Sequence, residues 1–139
     1  MSGDLRENAV ILTIDDEPEV LASLTKALTS AGYTVHCAMT PQAALQTANE
    51  IRPDLVISDI NLNGQSGLGL CERLKRETNL AQTPVIFLSG AQIPDIIRRA
   101  HAAGGSYYLR KPFDPQVLLE LVDKALWMPH LVENRLTTV

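Results

Sequence analysis

No apolar run in this chain approaches the ~20 residues a bilayer span requires, so no membrane partner is expected. The start, Met1-Ser2-Gly3-Asp4, has neither a basic segment nor an apolar core. No signal peptide is visible, and a cytoplasmic location is the default expectation. Basic residues are outnumbered, 12 Lys and Arg against 16 Asp and Glu, for a net charge of -4. A domain that binds nucleic acid through a basic footprint is therefore not expected. Cysteine is scarce: Cys37 and Cys71 form no C-x-x-C and are read as reduced, half-buried thiols. There is no Walker A loop and no G-x-G-x-x-G. Gly64-Gln65-Ser66-Gly67-Leu68 falls short of a nucleophile elbow, because Leu68 stands where G-x-S-x-G needs glycine. His36, His101 and His130 are scattered without metal-ligand spacing. Internal repeats and low-complexity tracts are absent as well.

What remains is a chain of 139 residues, 45% hydrophobic, enough for one domain with a proper core. Short apolar runs alternate with helical patterns five times. Residues 9–14 are a first strand, nearly all apolar, as a strand covered on both faces should be. Pro18 suits a first helical turn, and Val20, Leu21, Leu24, Ala27, Leu28 and Ala31 recur at helical spacing before Gly32. Residues 33–37 are a second strand. Thr40-Pro41 reads as an N-cap with Pro at N1, opening a helix that Arg52-Pro53 ends. Residues 55–58 are a third strand, followed by an Asn63-Gly64 turn and a third helix through Leu68, Cys71 and Leu74.

A fourth strand spans residues 84–88, and Pro94 opens a fourth helix. Residues 107–109 are a fifth strand. Asp114-Pro115 starts a fifth helix with Val117, Leu118, Leu121, Val122, Ala125 and Leu126 inward, interrupted at Pro129. Alternating strands and helices mean βαβ units, a parallel sheet and helices on both faces.

The chemistry gathers at strand ends. Asp15 and Asp16 follow the first strand and Asp59 the third, Ser89 ends the fourth, and Lys111 follows the fifth. Each alone has an ordinary explanation: a loop acid, a capping serine, a surface lysine. Glu17 is read as an acid favoured in a first helical turn. In a doubly wound sheet, however, the carboxyl ends of these strands converge on one crevice. Three carboxylates brought together repel and raise a pKa unless a cation neutralises them. Mg²⁺ suits such a site, since it takes a few carboxylates and keeps waters for an incoming phosphate. An ammonium such as Lys111 can pair with a phosphoryl oxygen.

Taken together, Asp15-Asp16, Asp59 with Gly67 eight residues on, Ser89-Gly90 and Lys111-Pro112-Phe113 resemble the response-regulator receiver domains of two-component signalling. The resemblance covers residues 8–127, leaving 128–139 as a C-terminal extension or the start of a linker. It implies an α/β fold of the flavodoxin-like type, a doubly wound five-stranded parallel sheet in the order 2-1-3-4-5. Asp59 matches the family's phospho-acceptor. Asp16 and Asp59 match its carboxylate Mg²⁺ ligands, Asp15 the acid acting through metal-bound water, and Asn61 a ligand through its backbone carbonyl. Lys111 matches the pocket lysine, expected before a cis proline peptide. Ser89 and Tyr108 match the hydroxyl and aromatic switch pair. One departure stands out: Asn63, then Gly64, occupies the place where the family usually has proline. A less rigid loop at Asn61 is expected from that.

The implied role is a phosphoprotein. It takes a phosphoryl group from a histidine kinase or phosphotransfer protein onto Asp59 with Mg²⁺, and it catalyses only its own modification. A downstream protein or a second copy would be met through the fourth helix, fifth strand and fifth helix, where Arg98 and Arg99 lie. Two rivals remain at this point. One is a receiver-like interaction module that is never phosphorylated. The other is an aspartate-nucleophile phosphatase, against which Asp15-Asp16-Glu17 departs from the required D-x-D.

Overall fold

The computed structural model describes residues 9–90 and 107–138, with side chains as far as Trp127. Five strands form one parallel sheet: β1 (Val10–Ile14), β2 (Thr34–Ala38), β3 (Leu55–Asp59), β6 (Val85–Ser89) and β7 (Tyr107–Arg110). Their spatial order is β2-β1-β3-β6-β7. This is the expected 2-1-3-4-5 arrangement of the five sheet strands. The two numbers left over belong to a separate antiparallel hairpin, β4 (Asn61–Leu62) and β5 (Gln65–Ser66).

Helices α1 (Pro18–Ser30), α2 (Pro41–Ile51), α3 (Gly67–Glu77) and α4 (Pro115–Thr138) cover the sheet. The central strands β3 and β6 are buried at every residue, which is why they read as unbroken apolar runs rather than alternating ones. One face packs Leu12, Val56 and Phe87 against Ala44 and Ala48 of α2 and Cys71 and Leu74 of α3. The opposite face packs Ile11, Ile57 and Leu88 against Leu24 and Leu28 of α1 and Leu118, Val122 and Ala125 of α4. Each fully buried Leu, Ile or Phe side chain contributes roughly 1.5–3 kcal/mol of transfer free energy. The sheet is therefore a stiff floor for whatever stands at its ends.

Local chemistry sets the helix boundaries. Pro18 and Pro41 stand in the first turns of α1 and α2, and the Thr40 hydroxyl accepts the Ala43 N–H at 3.1 Å. Arg52 ends α2 in the left-handed region at φ 48°. The Ser66 hydroxyl caps α3 by accepting the Gly69 N–H at 3.0 Å.

Four details depart from the sequence reading. Val117 is exposed rather than inward, because Leu118, Val122 and Ala125 define the buried stripe and position 117 lies about 100° round the helix from it. Pro129 lies inside α4 rather than ending it. A proline forfeits one backbone bond and crowds one carbonyl, which breaks the ladder at one place without forcing the chain out of the helix. The cysteines are not alike: Cys37 is exposed and Cys71 fully buried. The hairpin was expected only as a turn. The expected fourth helix, with Arg98 and Arg99, lies outside the described residues. Among the described residues no helix is long and apolar enough to cross a membrane.

Candidate functional site

The parallel register brings the acids together. Ile14 of β1 stands beside Ser58 of β3, so Asp15 and Asp59, one residue on in each strand, leave the sheet side by side. Asp15 is fully buried and Asp59 is 6% exposed. Buried carboxylates demand partners, and both have them. Asp15 Oδ1 accepts the Glu17 N–H at 2.9 Å, and its Oδ2 accepts from Lys111 Nζ at 3.1 Å. Asp59 Oδ1 accepts the Asn61 N–H at 3.0 Å, and its Oδ2 accepts from Lys111 Nζ at 2.7 Å.

Lys111 reaches this point because β7 is carried past its end. Ser89 pairs with Arg110, and the Lys111 N–H donates to the Ser89 carbonyl at 2.8 Å. The Lys111–Pro112 peptide is cis. Nζ meets a third acid as well, Glu17 Oε1 at 2.9 Å. Glu17 is the N-cap of α1 but makes no side-chain capping bond, so its carboxylate serves the lysine instead. The sequence placed Glu17 only at a helix start. Its adjacency to Asp15-Asp16 was the one available signal, and its partner lies 94 residues away.

Oxygen atoms of Asp15, Asp16, Glu17 and Asp59 all lie within 4.8 Å of one another. Three of the four, Asp15, Glu17 and Asp59, share the Lys111 ammonium. Burial raises the Asp15 pKa, and Asp59 adds to the rise by repulsion, against lowering by the Glu17 N–H and by Lys111. Burial alone would lower the Lys111 pKa, but hydrogen bonds to Asp59, Glu17 and Asp15 outweigh it and the net shift is upward. An all-oxygen cluster with negative charge in excess fits a hard divalent cation of the Mg²⁺ type.

Asn61 begins the hairpin. Leu62 and Gln65 close the turn as one pair, and the Gly67 N–H donates to the Ile60 carbonyl at 2.7 Å as the next bonded pair. In an antiparallel ladder the residue between bonded pairs turns its own N–H and carbonyl away from its partner. The backbone polar edge of Asn61 therefore faces the Asp59 carboxylate, where its N–H is found. Gly67 has a steric reason: a Cβ there would collide with the Asp59 carbonyl oxygen.

Ser89 ends β6 and is 6% exposed. Tyr108 pairs with Phe87 and packs on the same core face, so Phe87, Ser89 and Tyr108 share one side of the sheet. Asp15, Asp16, Asp59, Asn61 and Lys111 thus gather at one end of the sheet. Ser89 stands beside them, and Tyr108 lies one strand over and deeper.

A doubly wound sheet with this cluster at the carboxyl ends of β1, β3 and β7 has close counterparts among known proteins. The family model of the response regulator receiver domain matches residues 11–123, and the chain belongs to that family. It is 35% identical over 113 residues to the DNA-binding dual master transcriptional regulator RpaA of a Synechocystis strain, covering 81% of this chain and 46% of that protein. It is 29% identical over 126 residues to the probable transcriptional regulator ycf29 of Porphyra purpurea, covering 91% and 60%. The chain thus spans about half the length of these relatives.

Among solved structures it is similar to the chemotaxis protein CheY4 of Vibrio cholerae, with TM-score 0.81 and 28% identity over 84% of this chain and 98% of that one. A CheY-like receiver domain from Methanospirillum hungatei matches with TM-score 0.80 and 27% identity over 88% and 96%. The chain is a receiver domain of two-component response regulators.

Proposed function

We propose that this receiver accepts a phosphoryl group on Asp59 from a histidine kinase or phosphotransfer protein, with Mg²⁺, and changes its partner-binding surface in response. The observation that carries the reading is the state of the Asp59 carboxylate. It is nearly buried at the end of a central strand, with one oxygen on the Asn61 N–H and the other on Lys111. A side chain held at both oxygens has one orientation to offer an incoming electrophile.

Asp16, Asp59 and the Asn61 carbonyl would hold the ion, with Asp15 acting through its water. When bound, Mg²⁺ supplies positive charge for the phosphoryl oxygens. The chain's own residues do the rest. A carboxylate oxygen of Asp59 attacks phosphorus in line and forms a new O–P bond as the donor's P–N bond breaks. The electron pair stays with the donor imidazole, which takes up a proton. Asp59 loses its negative charge in becoming an acyl phosphate, and Lys111 turns its ammonium to a phosphoryl oxygen. Hydrolysis of that bond returns the carboxylate, so the chain modifies itself and turns over no separate substrate.

Ser89, at the end of the neighbouring strand β6, would donate its hydroxyl to the phosphoryl group. The switch surface would include Tyr108, β7 and α4, with the segment between β6 and β7. Domain bounds of 8–127, with 128–139 as an extension, belong to the same proposal. The test is intact mass after incubation with acetyl phosphate and Mg²⁺. The parent should gain one phosphoryl group and Asp59→Asn none. Equal labelling of the two would overturn the reading.

A further inference from the structure

The Lys111 ammonium has three N–H donors. Each has an acceptor: Asp59 Oδ2 at 2.7 Å, Glu17 Oε1 at 2.9 Å and Asp15 Oδ2 at 3.1 Å. A phosphoryl oxygen arriving at Asp59 is a further acceptor, so one of these bonds has to be released before Lys111 can meet it. The acids are not equivalent in this. Asp15 is sealed, and without Nζ its Oδ2 would be a charged oxygen in the interior. Asp59 loses its charge on becoming an acyl phosphate, so its bond is the one that weakens during the reaction. Glu17 keeps its charge throughout, and its side chain is 51% exposed, at the open side of the cluster.

The backbone under Glu17 is fixed. Its N–H donates to Asp15 Oδ1 at 2.9 Å, and its carbonyl accepts the Val20 and Leu21 N–H groups at 3.1 and 3.2 Å. Pro18 follows with a ring-locked φ. An N-cap side chain ordinarily accepts from a first-turn N–H. This one makes no capping bond and reaches Lys111 instead.

We infer that Glu17 is a positioning residue for phosphoryl transfer: it holds the Lys111 ammonium at the open side of the pocket while Asp59 gives up its bond to Nζ, so that the freed N–H is already aimed at the incoming phosphoryl oxygens. The inference rests on the phospho-acceptor reading above. With Asp15 and Glu17 both on Nζ, the ammonium is held from two sides and has one N–H to turn. With Asp15 alone, the flexible lysine stem swings about a single bond. Glu17 acts only through Lys111. An ion pair with one half-exposed partner adds little to stability, so the effect belongs in the rate and not in the fold.

The experiment measures the labelling rate of the full chain at saturating Mg²⁺ across a range of acetyl phosphate concentrations. Parent, Glu17→Gln and Glu17→Ala are compared, with a thermal unfolding midpoint for each. Asp59 forms the new O–P bond as the donor's P–O bond breaks, and acetate leaves with the electron pair. Misplacing a reacting group by about 1 Å can cost roughly 100-fold, and Asp15 still tethers Nζ here, so Glu17→Ala should lower the limiting rate by ~10-fold. Glu17→Gln keeps an oxygen that accepts from Nζ but lacks the charge, and should fall between Glu17→Ala and the parent. The acetyl phosphate concentration at half the limiting rate should stay level or drop, because one carboxylate fewer repels the anionic donor. Thermal midpoints should stay together.

A limiting rate in Glu17→Ala equal to the parent's overturns the inference. So does a deficit that disappears on raising Mg²⁺ further, which would make Glu17 a metal ligand. A midpoint that falls along with the rate also overturns it, by making the role a structural one. A parent that takes no label removes the phospho-acceptor reading and this inference together. A labelled parent matched by both variants removes this inference alone.

Discussion

Lys111 Nζ lies 2.7 Å from Asp59 Oδ2, joining residues 52 apart in sequence. The same ammonium is 3.1 Å from Asp15, so it screens two buried carboxylates from each other. Removing it should show in stability as well as in chemistry. Lys111→Met leaves those acids facing one another, and an unpaired buried polar group costs about 1–3 kcal/mol, more when charged.

The sign of the pH dependence follows. The folded parent raises the Lys111 pKa above its ordinary 10.5, so the lysine's contribution is full below that value and is lost as pH rises through the folded pKa. In Lys111→Met the carboxylates of the folded state hold protons more tightly than those of the unfolded chain. Its stability should therefore be best in acid and fall as pH rises through the acids' folded pKa values. Thermal midpoints of parent and variant at pH 5 and pH 8 check this: the gap should widen at pH 8. A gap of constant size would contradict the pairing.

Asp16 is half-buried where Asp15 is sealed, and unlike Asp15, Glu17 and Asp59 it is not bonded to Lys111. Asp16→Ala should remove one of four repelling carboxylates, so the midpoint in metal-free buffer should hold or rise. The parent should gain stability with Mg²⁺, about 2.7 kcal/mol at a hundredfold excess over Kd, and the variant should not. Equal Mg²⁺ stabilisation of the two would remove Asp16 from the ligand set.

Two glycines two residues apart should behave oppositely. Gly67→Ala drives a methyl into the backbone carbonyl of Asp59, and overpacking of this kind costs about 1–3 kcal/mol or more. At Gly69 the added carbon would sit 3.6 Å from Ser66 Oγ, an ordinary contact, inside α3. Gly69→Ala should stabilise by up to ~1 kcal/mol through helix propensity. Denaturant midpoints decide it. A tolerated Gly67→Ala would mean that the α3 start is not packed against Asp59.

Those glycines also show what the sequence discloses. Gly67 was visible as one member of a spaced motif, but its reason, a backbone carbonyl behind it, needed the fold. The strands were legible because β1, β3 and β6 are buried on both faces and so stand out as apolar runs, while their order came from the family resemblance. Pro18, Pro41 and Thr40 marked helix starts through chemistry local to a few residues. Asp15, Asp59 and Lys111 could be brought together because strand ends in such a sheet share one edge. Glu17 could not be, since its helix-start position already accounted for it. Two-residue strands such as β4 and β5 are too short to show alternation, so Asn63-Gly64 announced a turn and not a hairpin.

Ser89→Ala tests how a phosphoryl group is felt beyond the pocket. Ser89, Phe87 and Tyr108 share one face, so a hydroxyl drawn toward Asp59 would disturb packing around the ring. The variant should still accept phosphate. Amide shifts on phosphorylation or beryllofluoride binding should reach residues 94–109 in the parent and shrink there in the variant. Parent shifts confined to the loops around Asp59 would remove the switch.

The central claim is that Asp59 is the nucleophile, and the most direct measurement locates the phosphoryl group itself. Treat the chain with acetyl phosphate and Mg²⁺, reduce with borohydride, digest and map by mass. Hydride converts an aspartyl phosphate to homoserine with loss of phosphate, leaving a permanent mark. The account requires homoserine at position 59, with Asp15 and Asp16 unmodified and no mark when Mg²⁺ is replaced by chelator. Homoserine at position 15 or 16 instead, or none anywhere in a protein that has demonstrably bound Mg²⁺, would contradict it.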